Sequence, residues 1–227
     1  MSIFITSDTH FCHPGVIKSR PRFQSQNVKD IMAEMAAADY NEHGATRLQQ
    51  LKSLLKDECT LCLPYMHEEI INRWNAVVTP RDAVYHLGDF ALTWGKAKSW
   101  DEITKILGRL NGQKFLIKGN HDRDEVIKQP GWGWVRDYYE LKLGMHVPDK
   151  QRVCLFHYSQ RAWNQMHRGA WMLYGHSHGN LPDIGGKTLE MGMDASEFSP
   201  NSIEAIAEKM KHRPILLAGD HHTFDHA

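Results

Sequence analysis

The chain has 227 residues, 41% of them hydrophobic, and its 27 Lys and Arg balance its 27 Asp and Glu. That length suits one domain carrying an insertion, and the neutral balance supplies no broad field for nucleic acid or an anionic membrane. No run approaches the roughly 18 apolar residues that a membrane span needs.

In chain order, "IFIT" (3–6) reads as a strand that ends in Ser7-Asp8-Thr9-His10. No basic leader with a long apolar run precedes it, so a cytoplasmic protein is expected. Cys12, Cys59, Cys62 and Cys154 are too few for a disulfide framework and are read as reduced thiols. Residues 31–66 break the rhythm: a helix is predicted around 46–57, then "CTLCLPY", and we take about 36–66 as a small helical insertion. A helix over 67–78 places Ile70, Ile71, Trp74 and Val77 on one face. "AVYHL" (83–87) is a strand that runs into Gly88-Asp89, and a helix follows over 99–110. "KFLIK" (114–118) leads into Gly119-Asn120-His121-Asp122, "RVCLF" (152–156) into His157-Tyr158, and "WMLY" (171–174) into Gly175-His176-Ser177-His178. "KTLEMGMD" (187–194) is a sixth short run, and a last helix is predicted over 202–211. The polar tail "GDHHTFDHA" (219–227), with His221, His222 and His226, is expected to be partly mobile. Short apolar runs alternating with helices predict an α/β class, residues 1–227 forming one domain.

Open α/β sheets build sites at the carboxyl ends of their strands, where these polar clusters fall. Together they offer Asp8, His10, Asp89, Asn120, His157, His176 and His178, a set of oxygen and imidazole ligands without thiolate. One ion takes about four to six ligands, some of them water, so seven suit two ions sharing a carboxylate. Such pairs clamp a phosphoryl group and supply an activated hydroxide. Taken singly, Asp-x-His and Gly-Asp fit ordinary turns. Gly-His-x-His says more, because histidines two apart on an extended segment point the same way.

The ordered series Asp8-x-His10, Gly88-Asp89, Gly119-Asn120-His121-Asp122, His157 and Gly175-His176-x-His178 resembles the calcineurin-like metallophosphoesterase superfamily, and its small bacterial and phage branch in the wording "SDTHFCH", "VYHLGDF" and "LYGHSHG". The resemblance implies two stacked β-sheets flanked by helices, with a dimetal site on loops at the strand ends. It implies that Asp8, His10 and His178 hold one metal, that Asn120, His157 and His176 hold the other, and that Asp89 bridges them with a hydroxide. By the same resemblance His121 approaches the leaving or a phosphoryl oxygen, and Asp122 orients His121 through a hydrogen bond. The protein Ser/Thr phosphatases of the superfamily carry Gly-Asp-x-Val-Asp-Arg-Gly where this chain reads "GDFALTWG", so that activity is not implied.

Four residues are candidates for touching substrate: His13, and Arg161, Trp163 and Arg168 on the segment joining two ligand-bearing strands. A buried Trp163 packed on the sheet is the plain alternative. Cys59-x-x-Cys62 with His67 lacks a fourth ligand for structural zinc, which favours simple burial. His86, just before Gly88-Asp89, reads as a core or supporting residue. The expectation is a phosphoesterase with two divalent ions, Mn²⁺ foremost and Fe, Zn²⁺ or Ni²⁺ as alternatives. Its substrates are expected to be phosphodiesters, cyclic or short nucleotides. A nuclease remains an alternative, given Arg47, Lys52 and Lys56 at near-helical spacing, and so does a phosphomonoesterase. A metal-dependent scaffold without activity is disfavoured by the full ligand set.

Overall fold

The computed structural model describes residues 1–37, 42–93, 99–144, 151–183 and 185–216. Two mixed β-sheets stack face to face. The first holds β1 (Ile3–Thr6), β2 (Ala83–His86), β3 (Gln113–Ile117), β4 (Trp132–Arg136) and β9 (Asn201–Ser202), in the order β4-β3-β2-β1-β9. β1 to β4 run parallel, and β9 lies antiparallel to β1. The second sheet is β5 (Tyr138–Leu143), β6 (Gln151–Phe156), β7 (Trp171–Tyr174) and β8 (Thr188–Glu190) in sequence order, with only the β5–β6 pair antiparallel.

The period-2 rule explains why the strands are apolar throughout. Ile3, Ile5, Ala83, Tyr85 and Ile117 face the second sheet, where Leu141, Leu143, Val153, Leu155 and Leu173 meet them. Phe4, Val84 and Leu116 face the other way, onto α2 (Glu42–Val77) and α3 (Ser99–Arg109). Strands covered on both faces have no solvent side to spend on polar residues. Each fully buried Ile, Val or Leu contributes about 1.5–3 kcal/mol. α5 (Ile203–Lys211) adds Ile206 and Met210 to the intersheet core. It starts where Ser202 Oγ accepts the Ala205 N–H at 3.2 Å.

The helical side differs from the sequence expectation. α1 (Gln26–Ala37) was not foreseen, and the helices expected around 46–57 and over 67–78 are parts of α2, which runs through "CTLCLPY" and across Pro64. Pro64 can give no N–H to the Thr60 carbonyl, and the local signal is for a break. Packing overrides it: Leu51, Leu55, Cys59, Cys62, Met66, Ile70 and Trp74 recur at three- and four-residue steps and are all buried. Cys59 and Cys62 belong to that buried stripe. Part of the expected insertion, residues 38–41, lies outside the described residues, as does the tail 219–227. β4, β5 and β9 were also not foreseen; β4 and β5 are edge strands, joined by the single residue Asp137. The outer face of the second sheet is covered by the segment between β6 and β7, through Trp163, Met166 and Ala170. No described helix is long and apolar enough to cross a membrane.

Candidate metal centre

Each candidate ligand stands just past the carboxyl end of a strand: Asp8 and His10 after β1, Asp89 after β2, Asn120 after β3, His157 after β6, and His176 and His178 after β7. The backbone turns hard to aim them. Asp8, His10, Asp89, His176 and His178 have φ of 57°, 50°, 56°, 73° and 49°. A side-chain-bearing residue pays about 1–3 kcal/mol for such a conformation, so surrounding contacts must enforce it. Two glycines let the loops close in. A Cβ on Gly119 would stand 2.2 Å from Asp89 Oδ1, and one on Gly175 would stand 1.9 Å from Ser7 Oγ.

The ligand atoms converge in two groups, Asp8 with His10 and His178, and Asp89 with His157 and His176. In the first, His10 Nε2 lies 3.0 Å from His178 Nε2 and 3.8 Å from Asp8 Oδ1. In the second, His157 Nε2 lies 3.0 Å from Asn120 Oδ1 and 3.6 Å from Asp89 Oδ2. The same Asp89 Oδ2 is 3.8 Å from His10 Nε2, so one oxygen faces both groups. Asp89 Oδ1 meanwhile accepts the His121 N–H at 2.9 Å.

The donor chemistry fits cations. His157 Nδ1 lies 2.7 Å from the Leu87 carbonyl, which can only accept, so Nδ1 carries the ring proton. Burial lowers the His157 pKa and keeps the ring neutral. Its Nε2 therefore presents a lone pair to the Asn120 and Asp89 oxygens, an arrangement of acceptors that a cation resolves. Around the first group, burial pushes the Asp8 carboxyl up to about 7 and moves His10 well below the usual imidazole range. His10 Nδ1 is buried without a hydrogen-bond partner among the described residues.

Two residues that the sequence reading missed support this group. Asp194 Oδ2 accepts from His178 Nδ1 at 2.7 Å, and Arg20 grips both Asp194 oxygens at 2.7 and 3.0 Å. The hydrogen bond to Asp194 raises the His178 pKa. Burial would raise Asp194, but His178 and Arg20 hold it well below the carboxylate range. Buried Arg20 also donates to the backbone carbonyls of Asp8 (2.6 Å) and Thr9 (2.9 Å). Asp194 closes the sixth apolar run, so the strand-end rule could have found it; Arg20 sits between two short 3₁₀ turns with no such signal.

His121 and Asp122 part company. The His121 side chain is 37% exposed, with Nε2 3.9 Å from Asp89 Oδ2. Asp122 does not hydrogen-bond to it, contrary to the expected orienting contact. Its carboxylate instead accepts the backbone N–H groups of Asp89 (2.8 Å), Phe90 (2.8 Å) and Gly119 (2.9 Å), lashing two ligand loops together. Burial pushes its pKa up to about 7 despite those bonds.

Of the substrate candidates, His13 is at the site, its ring 5.7 Å from that of His10 and 6.1 Å from that of His121. Trp163 is not: it is 8% exposed, donates Nε1–H to the Ala170 carbonyl at 2.7 Å, and packs on the second sheet. Arg161 and Arg168 are exposed and form no hydrogen bond or ion pair with the ligand side chains. Tyr158, unforeseen, is there instead, between His157 and His176. His86 is buried, with Nε2 3.1 Å from Thr9 Oγ1 and Nδ1 accepting the Gly88 N–H at 3.2 Å. A third convergence, Cys12 with His67 and Glu102, has a different character. His67 Nε2 accepts the Cys12 N–H at 2.9 Å, which leaves the ring proton on Nδ1, 3.7 Å from Glu102. The imidazole lone pair that a metal would need is thus already taken by a backbone N–H.

An uncharacterized protein of Methanocaldococcus jannaschii, MJ1445, is 27% identical over 218 residues, covering 91% of this chain and 89% of its own. The crystal structure of AQ665, a protein of unknown function from Aquifex aeolicus, shares the fold with a TM-score of 0.57 at 19% identity, covering 92% of this chain and 98% of that one. YfcE, a phosphoesterase from E. coli, aligns with a TM-score of 0.36 at 15% identity, covering 85% and 78%. The sequence model of the calcineurin-like phosphoesterases matches residues 1–224, nearly the whole chain. This protein therefore belongs to the calcineurin-like phosphoesterase family and is a metal-dependent phosphoesterase.

Proposed function

We propose that the protein is a binuclear phosphodiesterase acting on nucleotide esters. Asp8, His10 and His178 would hold one divalent ion, Asn120, His157 and His176 the other, and Asp89 both. The observation that carries this reading is Asp89 Oδ2, which faces His10 Nε2 and His157 Nε2 at 3.8 and 3.6 Å. Bound there, two ions supply Lewis-acid charge to the phosphoryl oxygens and an activated water. Mn²⁺ suits the oxygen and imidazole donors, as do Fe, Zn²⁺ and Ni²⁺.

The chain's own residues orient and protonate. Asp194 fixes the His178 ring, the Leu87 carbonyl fixes the His157 tautomer, and Asp122 fixes the loop that carries Asp89. His121, exposed beside Asp89, would give a proton to the departing oxygen. The lean to diesters rests on the run Gly88–Gly95, which lacks the arginine of the protein phosphatases; Arg20, buried and committed to Asp194 and to backbone carbonyls, does not stand in for it. Four free thiols, three of them buried, support a cytoplasmic setting.

With Mn²⁺ present, bis-p-nitrophenyl phosphate should be hydrolysed faster than p-nitrophenyl phosphate, and EDTA should abolish both reactions. A clear monoester preference would sink the diester reading.

A further inference from the structure

The ring of Tyr158 borders the candidate metal centre and is left partly in water. It meets the His157 ring edge to face at 4.9 Å and 71°, and the His176 ring at 4.7 Å and 68°. Its hydroxyl stands 3.5 Å from Asn120 Oδ1, at the outer limit of a hydrogen bond. Phe156 backs it at 5.7 Å. Yet Tyr158 is 41% exposed. Internal packing does not account for a half-open aromatic ring touching two candidate ligands and approaching a third.

We propose that Tyr158 is the platform for a nucleobase, stacking the base of a nucleotide diester whose phosphate lies over Asn120, His157 and His176. This rests on the phosphodiesterase reading and adds the chemistry of the group carried on the ester. Phe156 and the two imidazoles hem the ring on the protein side, so a planar group arrives from the solvent side. His176 is itself exposed to solvent. An aromatic face recognises any base through its π-surface, so broad base tolerance follows. A neutral base needs no ion pair, which agrees with Arg161 and Arg168 standing apart from the ligands.

The test compares two diesters that release the same p-nitrophenolate: thymidine 5′-(p-nitrophenyl phosphate) and methyl p-nitrophenyl phosphate. With the Mn²⁺-loaded protein, the thymidine ester should have a kcat/KM at least about tenfold higher, chiefly through KM, in line with the stacking of one base. Tyr158→Phe and Tyr158→Trp should keep that ratio, and Tyr158→Leu should bring it close to one while retaining its bound metal. Equal treatment of both esters by the native protein would overturn the proposal and leave the diesterase reading intact. So would a Tyr158→Leu variant that keeps the ratio, including one that loses both activities in proportion. If the monoester is cleaved and neither diester is, the diesterase reading itself fails and the base platform falls with it.

Discussion

Asp194 joins the His178 imidazole to the Arg20 guanidinium, and Arg20 in turn holds the carbonyls of Asp8 and Thr9. Replacing Asp194 by Asn would leave a buried guanidinium without its counter-ion, at a cost of about 3 kcal/mol. It would also loosen His178 and weaken metal binding about 10- to 100-fold. Urea melts in EDTA and metal titrations measure the two effects separately. The pH dependence has a definite sign. His178 has a raised folded pKa, so its contribution to metal-free stability is full below about 6.5 and fades as the pH climbs past the folded value. Asp194 has a depressed one, so its contribution disappears as the pH falls below the ordinary carboxylate range. The stability gap between wild type and Asp194→Asn should therefore be widest in mildly acid solution, narrow above the folded pKa of His178 while the Arg20 pair persists, and close only in strong acid. His121 and Asp122 separate in the same spirit. His121→Ala should lower kcat about 10²- to 10⁴-fold with metal content and Tm unchanged. Asp122→Ala, which orphans three N–H groups, two of them buried, should lower Tm by the equivalent of at least about 1–3 kcal/mol. The ligand candidates could be read from sequence because each is a polar residue set directly against an apolar run. Trp163 could not be told from Tyr158, since both follow β6 and only the fold decides which side of the sheet each reaches.

Among the elements, α2 best shows a local signal losing to packing. Pro64 is exposed and interrupts the hydrogen-bond ladder, while the buried stripe from Leu51 to Trp74 carries the helix past it. Pro64→Ala should raise stability by about 2 kcal/mol, the helical gain less the looser unfolded chain, with kcat unchanged. Thermal melts and steady-state assays would show it. The strands that were legible are those buried on both faces, where apolar runs end abruptly at glycine or a charged residue. β4 is only partly buried and mixes Trp and Val with Gly and Arg, and β9 has two residues, so neither leaves a strong pattern. The outer cover of the second sheet was equally opaque, because it is built from an irregular segment with no period to read.

For the whole molecule, ligand binding and folding are linked. At about a hundred times its Kd, an ion bound only to the folded state adds about 2.7 kcal/mol, or several degrees of Tm in a chain of this length. Mn²⁺ should therefore raise Tm by about 5–10 °C over protein in EDTA, as scanning fluorimetry would read it. Asp89→Asn should abolish most of that rise, since Oδ2 faces both groups.

The partition of ligands between the sheets carries one more consequence. Asp8 and His10 extend from the first sheet and His178 from the second; Asp89 and Asn120 extend from the first, and His157 and His176 from the second. Neither group can be completed within one sheet. An ion in either one would thus be a removable cross-link, closed across the sandwich at its carboxyl end. When metal is scarce the layers would be held there by apolar contact and by the few hydrogen bonds that cross between them, from His157 to the Leu87 carbonyl and from the His176 N–H to Asp8. With these residues as the ligands, the availability of metal would govern the mechanical integrity of the protein as well as its chemistry.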